Sequence, residues 1–241
     1  MKQNIIISTI ALLALSTAPA LAVSKNVSSP NVTKDKIKLE NKGAYEFDDD
    51  GDEWKHKTEL EYGLTDDLQI KIEAEIEKEE GNSVKHDATE IGFKYQLLDG
   101  KVDPVGLSVD ASYELSHQGG SDGIGIGMNI QKLYNKWDHR INFGLGHDTG
   151  EDSKSGVSAD VKLGSYYKFD RYKVGGEYYV DFGNLRDSND FEEQEHHIGP
   201  VVGFDLPLGR EMALETKVGY LVGLSEASAD HVVKYEFEYE F

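Results

Sequence analysis

Val233-Lys234-Tyr235-Glu236-Phe237-Glu238-Tyr239-Glu240-Phe241 ends the chain, and its alternation decides the fold. Apolar and aromatic residues occupy every second position and charged residues the positions between. Period two gathers the rings on one face of an extended strand and the charges on the other, whereas a helix would scatter both. The same pattern runs through 54–62, where Trp54, His56, Thr58, Leu60 and Tyr62 alternate with Lys55, Lys57, Glu59 and Glu61. It recurs in 68–77, with Leu68, Ile70, Ile72, Ala74 and Ile76 opposite Lys71, Glu73, Glu75 and Glu77. Propensity alone allows a helix for IKIEAEIEKEE, but the isoleucines would then circle its circumference.

Working back from the C-terminus, twelve such segments emerge, at about 37–47, 54–62, 68–77, 88–97, 105–115, 124–133, 139–147, 157–168, 172–183, 197–206, 212–224 and 231–241. An even set of segments of ~9–11 residues with a two-residue repeat predicts an all-β fold, a closed antiparallel transmembrane β-barrel. A water-soluble sandwich is the competing architecture. Connections after odd segments are longer than those after even ones, which predicts that both termini are periplasmic. Pro200 should weaken the tenth strand, since it cannot donate to a ladder. On the outward parity, Phe47, Trp54, Tyr113 and Phe182 fall near one rim, and Tyr62, Tyr95, Tyr167, Tyr172, Phe204, Tyr239 and Phe241 near the other, as two interfacial girdles would.

The 241 residues include 45 acidic and 25 basic side chains, a formal charge of -20, and no cysteine. A mean hydropathy of -0.52 excludes a helical membrane protein, which needs repeated apolar runs of ~20 residues. Aromatic residues make up 10%, too many for a disordered chain. The absence of cysteine excludes a disulfide scaffold, a cysteine-based zinc cluster and a thiol nucleophile. Such acidity also argues against nucleic acid, whose phosphates would repel it. At the N-terminus, Lys2, an apolar core and the triplets Ala18-Pro19-Ala20 and Ala20-Leu21-Ala22 read as a signal peptide, cleaved after Ala20 or Ala22. The expected organisation is a signal peptide over 1–22, a flexible, polar periplasmic lead-in over 23–36 and a barrel over 37–241.

The terminal YEFEYEF, ending on Phe241, resembles the last strand of Gram-negative outer-membrane β-barrel proteins, porin-like and transporter-like. That resemblance covers 37–241. It implies residence in the outer membrane among lipid and lipopolysaccharide, and it makes Tyr239 and Phe241 a signal read by the barrel assembly machinery. The segment from Lys42 to Gly81 also looks like the opening hairpins of transporter-like outer-membrane proteins, a match that carries no functional residue.

Parity assigns the lumen. Strands twelve and one to four should present Glu59, Glu61, Glu73, Glu75 and Glu238 with Lys57 and Lys71, acids outnumbering bases, while the opposite wall is rich in Gly, Ser and Asn and carries Arg140 as its sole arginine. This predicts a passive channel for small, preferably cationic or neutral solutes. A closed structural barrel, its bore filled by Lys–Glu pairs, is the alternative. A lipid hydrolase is a second alternative, resting on His117 and His147 with Ser121 and Ser153 nearby, though no serine has an evident base and orienting group. Glu193, Glu195, His196 and His197 could meet a transition metal, but adjacent histidines on a loop read as surface. No catalytic group, cofactor or metal is expected.

Overall fold

A computed structural model describes residues 25–49, 51–150, 153, 155–187, 190–208 and 212–241. The expected signal peptide over 1–22 lies outside the described residues. Those described form twelve strands: β1 Ile37–Phe47, β2 Glu53–Gly63, β3 Leu68–Glu79, β4 Lys85–Leu98, β5 Gly106–Ser116, β6 Asp122–Tyr134, β7 Trp137–Thr149, β8 Ser158–Phe169, β9 Tyr172–Asn184, β10 Glu195–Pro207, β11 Ala213–Gly223 and β12 His231–Glu240. Each pairs antiparallel with its sequence neighbours, and β1 closes on β12. A strand of 11 residues such as β1 rises about 28 Å along a barrel axis at ~40° of tilt, enough to cross the ~25 Å apolar band of an outer-membrane barrel.

One end of the barrel carries the longer connections, among them 150–157 and 185–194, and is called the loop end; the other, the turn end, has two-residue turns at 135–136 and 170–171. Asn135 and Asp170 open those turns with φ of 55° and 57°, the left-handed region that Asn and Asp tolerate best among non-glycine residues. Pro200 behaves as its chemistry requires. The β10–β11 ladder stops at Ile198↔Val222 and resumes at Val201↔Gly219, while Pro200 stays in register with Gly176 on β9.

The surface is inverted relative to a water-soluble protein. Leu60, Ile72, Ile91, Phe93, Ile126, Phe143, Val202 and Val218 all face outward and exposed, whereas Glu59, Glu73, Lys217 and Lys234 are buried inside. Soluble proteins do not leave so large a contiguous apolar surface to water while enclosing their charges. This excludes the sandwich. A ring of aromatics borders the band at the turn end, with Trp137 against Tyr167, Phe169 against Tyr172 and Tyr172 against Phe204, at centroid distances of 5.2, 6.1 and 5.2 Å. At the loop end Tyr45 packs on Phe47, and Trp54 stacks with His56, which stacks with Tyr235.

One segment departs from expectation. Instead of a flexible periplasmic lead-in, residues 25–33 run inside the barrel, descending from Lys25 at the loop end to the turn end, where the chain reverses into β1. Backbone bonds from Asp35 N–H to Gly63 O (2.9 Å) and from Gly63 N–H to Lys36 O (3.1 Å) fasten the reversal. Extended at ~3.3 Å per residue, 25–36 reaches about 36 Å, sufficient for the height of the barrel. A polar strap with main-chain groups to satisfy suits a polar lumen as well as it suits water, and that is why its composition did not betray its location.

Candidate functional site

Register, more than composition, organises the lumen. Glu215, Glu238, Glu40, Glu59, Glu73, Glu90 and Glu114 stand directly opposite one another from strand to strand, forming a stripe across β11, β12 and β1 to β5. Like charges directly opposed destabilise a sheet. Lysines from the flanking rows relieve this by reaching in diagonally. Lys42 Nζ lies 3.0 Å from Glu73, 3.1 Å from Glu59 and 3.5 Å from Glu40. Lys57 lies 2.8 Å from Glu75 and 3.0 Å from Glu73; Lys71 lies 2.6 Å from Glu90 and 3.3 Å from Glu59. Lys94 reaches Glu61 at 3.9 Å and Lys38 reaches Glu238 at 3.3 Å. Every lumen glutamate singled out from sequence therefore sits inside with a lysine partner.

The small residues of the wall have a defined use. Gly92 stands opposite Lys71, and a Cβ there would come 2.6 Å from Lys71 Cε; Gly203 stands opposite Lys173, whose Cε a Cβ would meet at 2.3 Å. Each glycine is a slot in which a lysine stem lies flat against the wall. Sequence parity reads such glycines as open space, but the neighbouring strand fills that space.

Three clusters were not legible beforehand. On β8, β9 and β12, Glu177 accepts from Tyr166 and Tyr179 at 2.5 Å each and from Lys234 at 2.6 Å, all four buried. On β6 and β7, Asp138 receives Gln131 at 2.8 Å and Arg140 at 3.0 Å. Arg140 is thus committed to a carboxylate and to Val27 O (3.2 Å), rather than free in the bore. The third cluster holds the strap. Lys25 is within 3.4 Å of Glu195, 3.7 Å of Glu46 and 3.2 Å of His197 Nδ1, and Val27 is fully buried in an apolar socket of Ala44, Tyr179, Leu221 and Val232. Below it, Asn142 accepts from Ser28 N–H (2.7 Å) and donates to Ser28 O (3.2 Å), Gln131 accepts from Asn31 (3.2 Å), and Gln96 accepts from Val32 N–H (2.6 Å).

Beside the strap a cavity of about 640 Å³ remains. Its lining extends from Glu114 and Asp160, close to the loop ends of β5 and β8, to Lys101 and Glu240 at the turn end. Asp110 and Glu114 line it with no lysine or arginine within 4 Å among the described residues; Asp110 accepts from Asn129 instead.

The closed barrel, its strand number and its height invite comparison with solved structures. A KdgM porin in complex with disordered oligogalacturonate superposes with a TM-score of 0.53 at 12% identity, over 86% of this chain and 98% of that one. A NanC porin superposes with a TM-score of 0.55 at 11% identity, over 84% and 98%. The fold is that of the outer-membrane porins. No protein-family model and no curated protein sequence matches the chain.

The alternative sites fare differently. His196 and His197 are adjacent on a strand, so they face opposite sides: His196 stacks outward on Phe191 at 4.2 Å, while His197 is buried inward. They cannot share a metal, and among the described residues no cluster of three or more His, Asp or Glu is arranged to hold one. The proposed hydrolase residues do not meet. His117 bonds Thr89 at 2.9 Å, His147 donates to Gly156 O at 2.7 Å and Ser153 donates to Gly150 O at 2.9 Å. Among the described residues, Ser121 Oγ has no hydrogen-bond partner. A serine–histidine contact does exist, unforeseen, between Ser165 and His139 at 2.9 Å on the outer face near the turn end. Among the described residues no carboxylate orients that histidine. At the C-terminus, Phe241 is exposed, its backbone bonded reciprocally to Ile37 at 2.9 Å, and Tyr239 OH contacts Met212 Sδ at 3.1 Å.

Proposed function

We propose that the protein is a passive outer-membrane channel for small solutes, preferring cationic and neutral ones, whose bore is narrowed by residues 25–33. The observation that carries this is the cavity alongside the strap, reaching from near the loop end to the turn end and bordered by Asp110 and Glu114 without basic partners. In a confined space of reduced dielectric, unpaired carboxylates attract cations more strongly than solvated loops do. Acidic sugars fit this bore poorly, since Arg140 is tied to Asp138 and Val27. The loop end would face the cell exterior, with lipid around the apolar band and lipopolysaccharide around its outer half. Exposed Phe241 and neighbouring Tyr239 would serve as the signal for the barrel assembly machinery; deleting Phe241 should sharply lower the yield of heat-modifiable barrel.

The second reading, a closed structural barrel, is favoured by the buried strap and the saturated Lys–Glu network. Planar-bilayer recording of the mature protein under a salt gradient separates the two. A channel gives ohmic steps and a reversal potential of cation-selective sign, weakening at 1 M salt, where the Debye length is ~3 Å. Anion selectivity overturns the charge argument, and an absence of steps, including in variants with a loosened strap, establishes the closed barrel.

A further inference from the structure

The strap is held the way a binding site holds a ligand. Asn142 grips both the N–H and the C=O of Ser28, Arg140 donates to Val27 O, and Gln96 accepts from Val32 N–H. These contacts address the main chain and are available to any extended polypeptide. Two side-chain sockets add selectivity. The carboxylates of Glu46 and Glu195 take a cation, and two residues further on Ala44, Tyr179, Leu221 and Val232 take a small aliphatic group. The residues between and after these anchors are small or polar, as a narrow bore demands.

The geometry points to the lumen as a peptide-binding site: it accepts, in exchange for its own strap, an extended peptide carrying a basic residue followed two positions later by a small aliphatic one. This rests on the channel reading only for the route by which a peptide arrives. The charged wall places no further demand on ligand charge, because its lysines and glutamates pair with each other, while Asp110 and Glu114 beside the strap favour a basic peptide. Asn142, which donates and accepts on the same residue, fits the paired N–H and C=O of a peptide unit.

The test uses the mature protein refolded in detergent and a fluorescent peptide of the sequence Lys25–Lys36, with binding read by anisotropy so that it does not depend on conductance. Three peptides are compared: the parent, one N-methylated at the residue corresponding to Ser28, and one with Glu in place of the residue corresponding to Lys25. A Lys25→Glu chain, whose own strap meets Glu46 and Glu195 with like charge, should bind the parent peptide about tenfold more tightly than the unsubstituted chain. Both altered peptides should bind about tenfold more weakly than the parent, the loss expected for one hydrogen bond or one charged contact. Asn31→Cys with Gln131→Cys, bridged by a short bis-methanethiosulfonate, should exclude the parent until reductant is added. Equal binding of parent and altered peptides overturns the proposal, as does binding that persists in the bridged protein or is absent from the Lys25→Glu chain. Salt conductance of the same preparations reports on the channel separately, so a barrel that conducts but binds no peptide refutes only this inference.

Discussion

The two walls of the lumen solve opposite problems. From β11 through β12 to β4, glutamates face glutamates across the strands, and lysines inserted from both sides offset the like charges. From β5 to β8 the wall is quieter: Asn129, Gln131 and Asn142, with glycines between, hold the strap or border the cavity. The denser charge holds itself together by pairing, whereas the sparser polar wall leaves Asn142 and Arg140 to bind the main chain of the strap.

The comparison can be broken most sharply on the charged wall. Lys42→Met leaves Glu40 with Asn26 as its remaining partner and takes one lysine each from Glu59 and Glu73. Removing one member of a buried ion network costs about 3–5 kcal/mol, so the urea midpoint of the folded, heat-modifiable band should fall markedly. A change no larger than that of a quiet-wall variant would show that the network is solvated and weak. Asn142→Leu is that variant. It forfeits two hydrogen bonds to the strap, about 1–3 kcal/mol in total, and should raise single-channel conductance severalfold with a smaller loss of stability. Unchanged conductance would mean that the strap does not limit the bore.

Smaller effects sharpen the contrast. Glu114→Gln, at the unpaired end of the stripe, should move the reversal potential further toward zero than Glu73→Gln with Glu75→Gln, whose carboxylates are already matched by Lys42 and Lys57. If the paired glutamates dominate, selectivity belongs to the charged wall after all. Smallest of all should be the effect of shortening the connection 185–194, where water screens the charges.

The barrel was legible because period two survives tertiary context: lipid selects apolar residues on one face of each strand, and on the charged wall the residues between them are lysines and glutamates. Glu59, Glu61, Glu73, Glu75, Glu238, Lys57 and Lys71 followed from parity alone. The strap was not legible, since Asn26, Ser28, Ser29 and Asn31 carry no period, and Val27, Ser28 and Val32 are gripped through their backbone, which no side chain announces. Arg140 could be placed inside but not paired, because a strand starting at 139 leaves its partner Asp138 in the preceding turn, whereas β7 begins at Trp137 and sets the two on one face. The glutamate stripe needs register, which depends on how twelve strands stagger and is not written in any one of them. The split of His196 from His197 follows from alternation once the tenth strand extends back to Glu195.

Strap and β1 together form a hairpin with one arm in the wall and the other in the bore. That geometry sets an order of events. The leading arm is inside when β1 meets β12, or it is drawn in afterwards from the turn end, past Gln96 and Gln131 to the socket for Val27. In the first case the last seam closes around an occupied centre, and the strap acts as a mandrel on which the lumen side chains settle. In the second, an empty barrel precedes the filled one, and the interval between them is a measurable step in maturation.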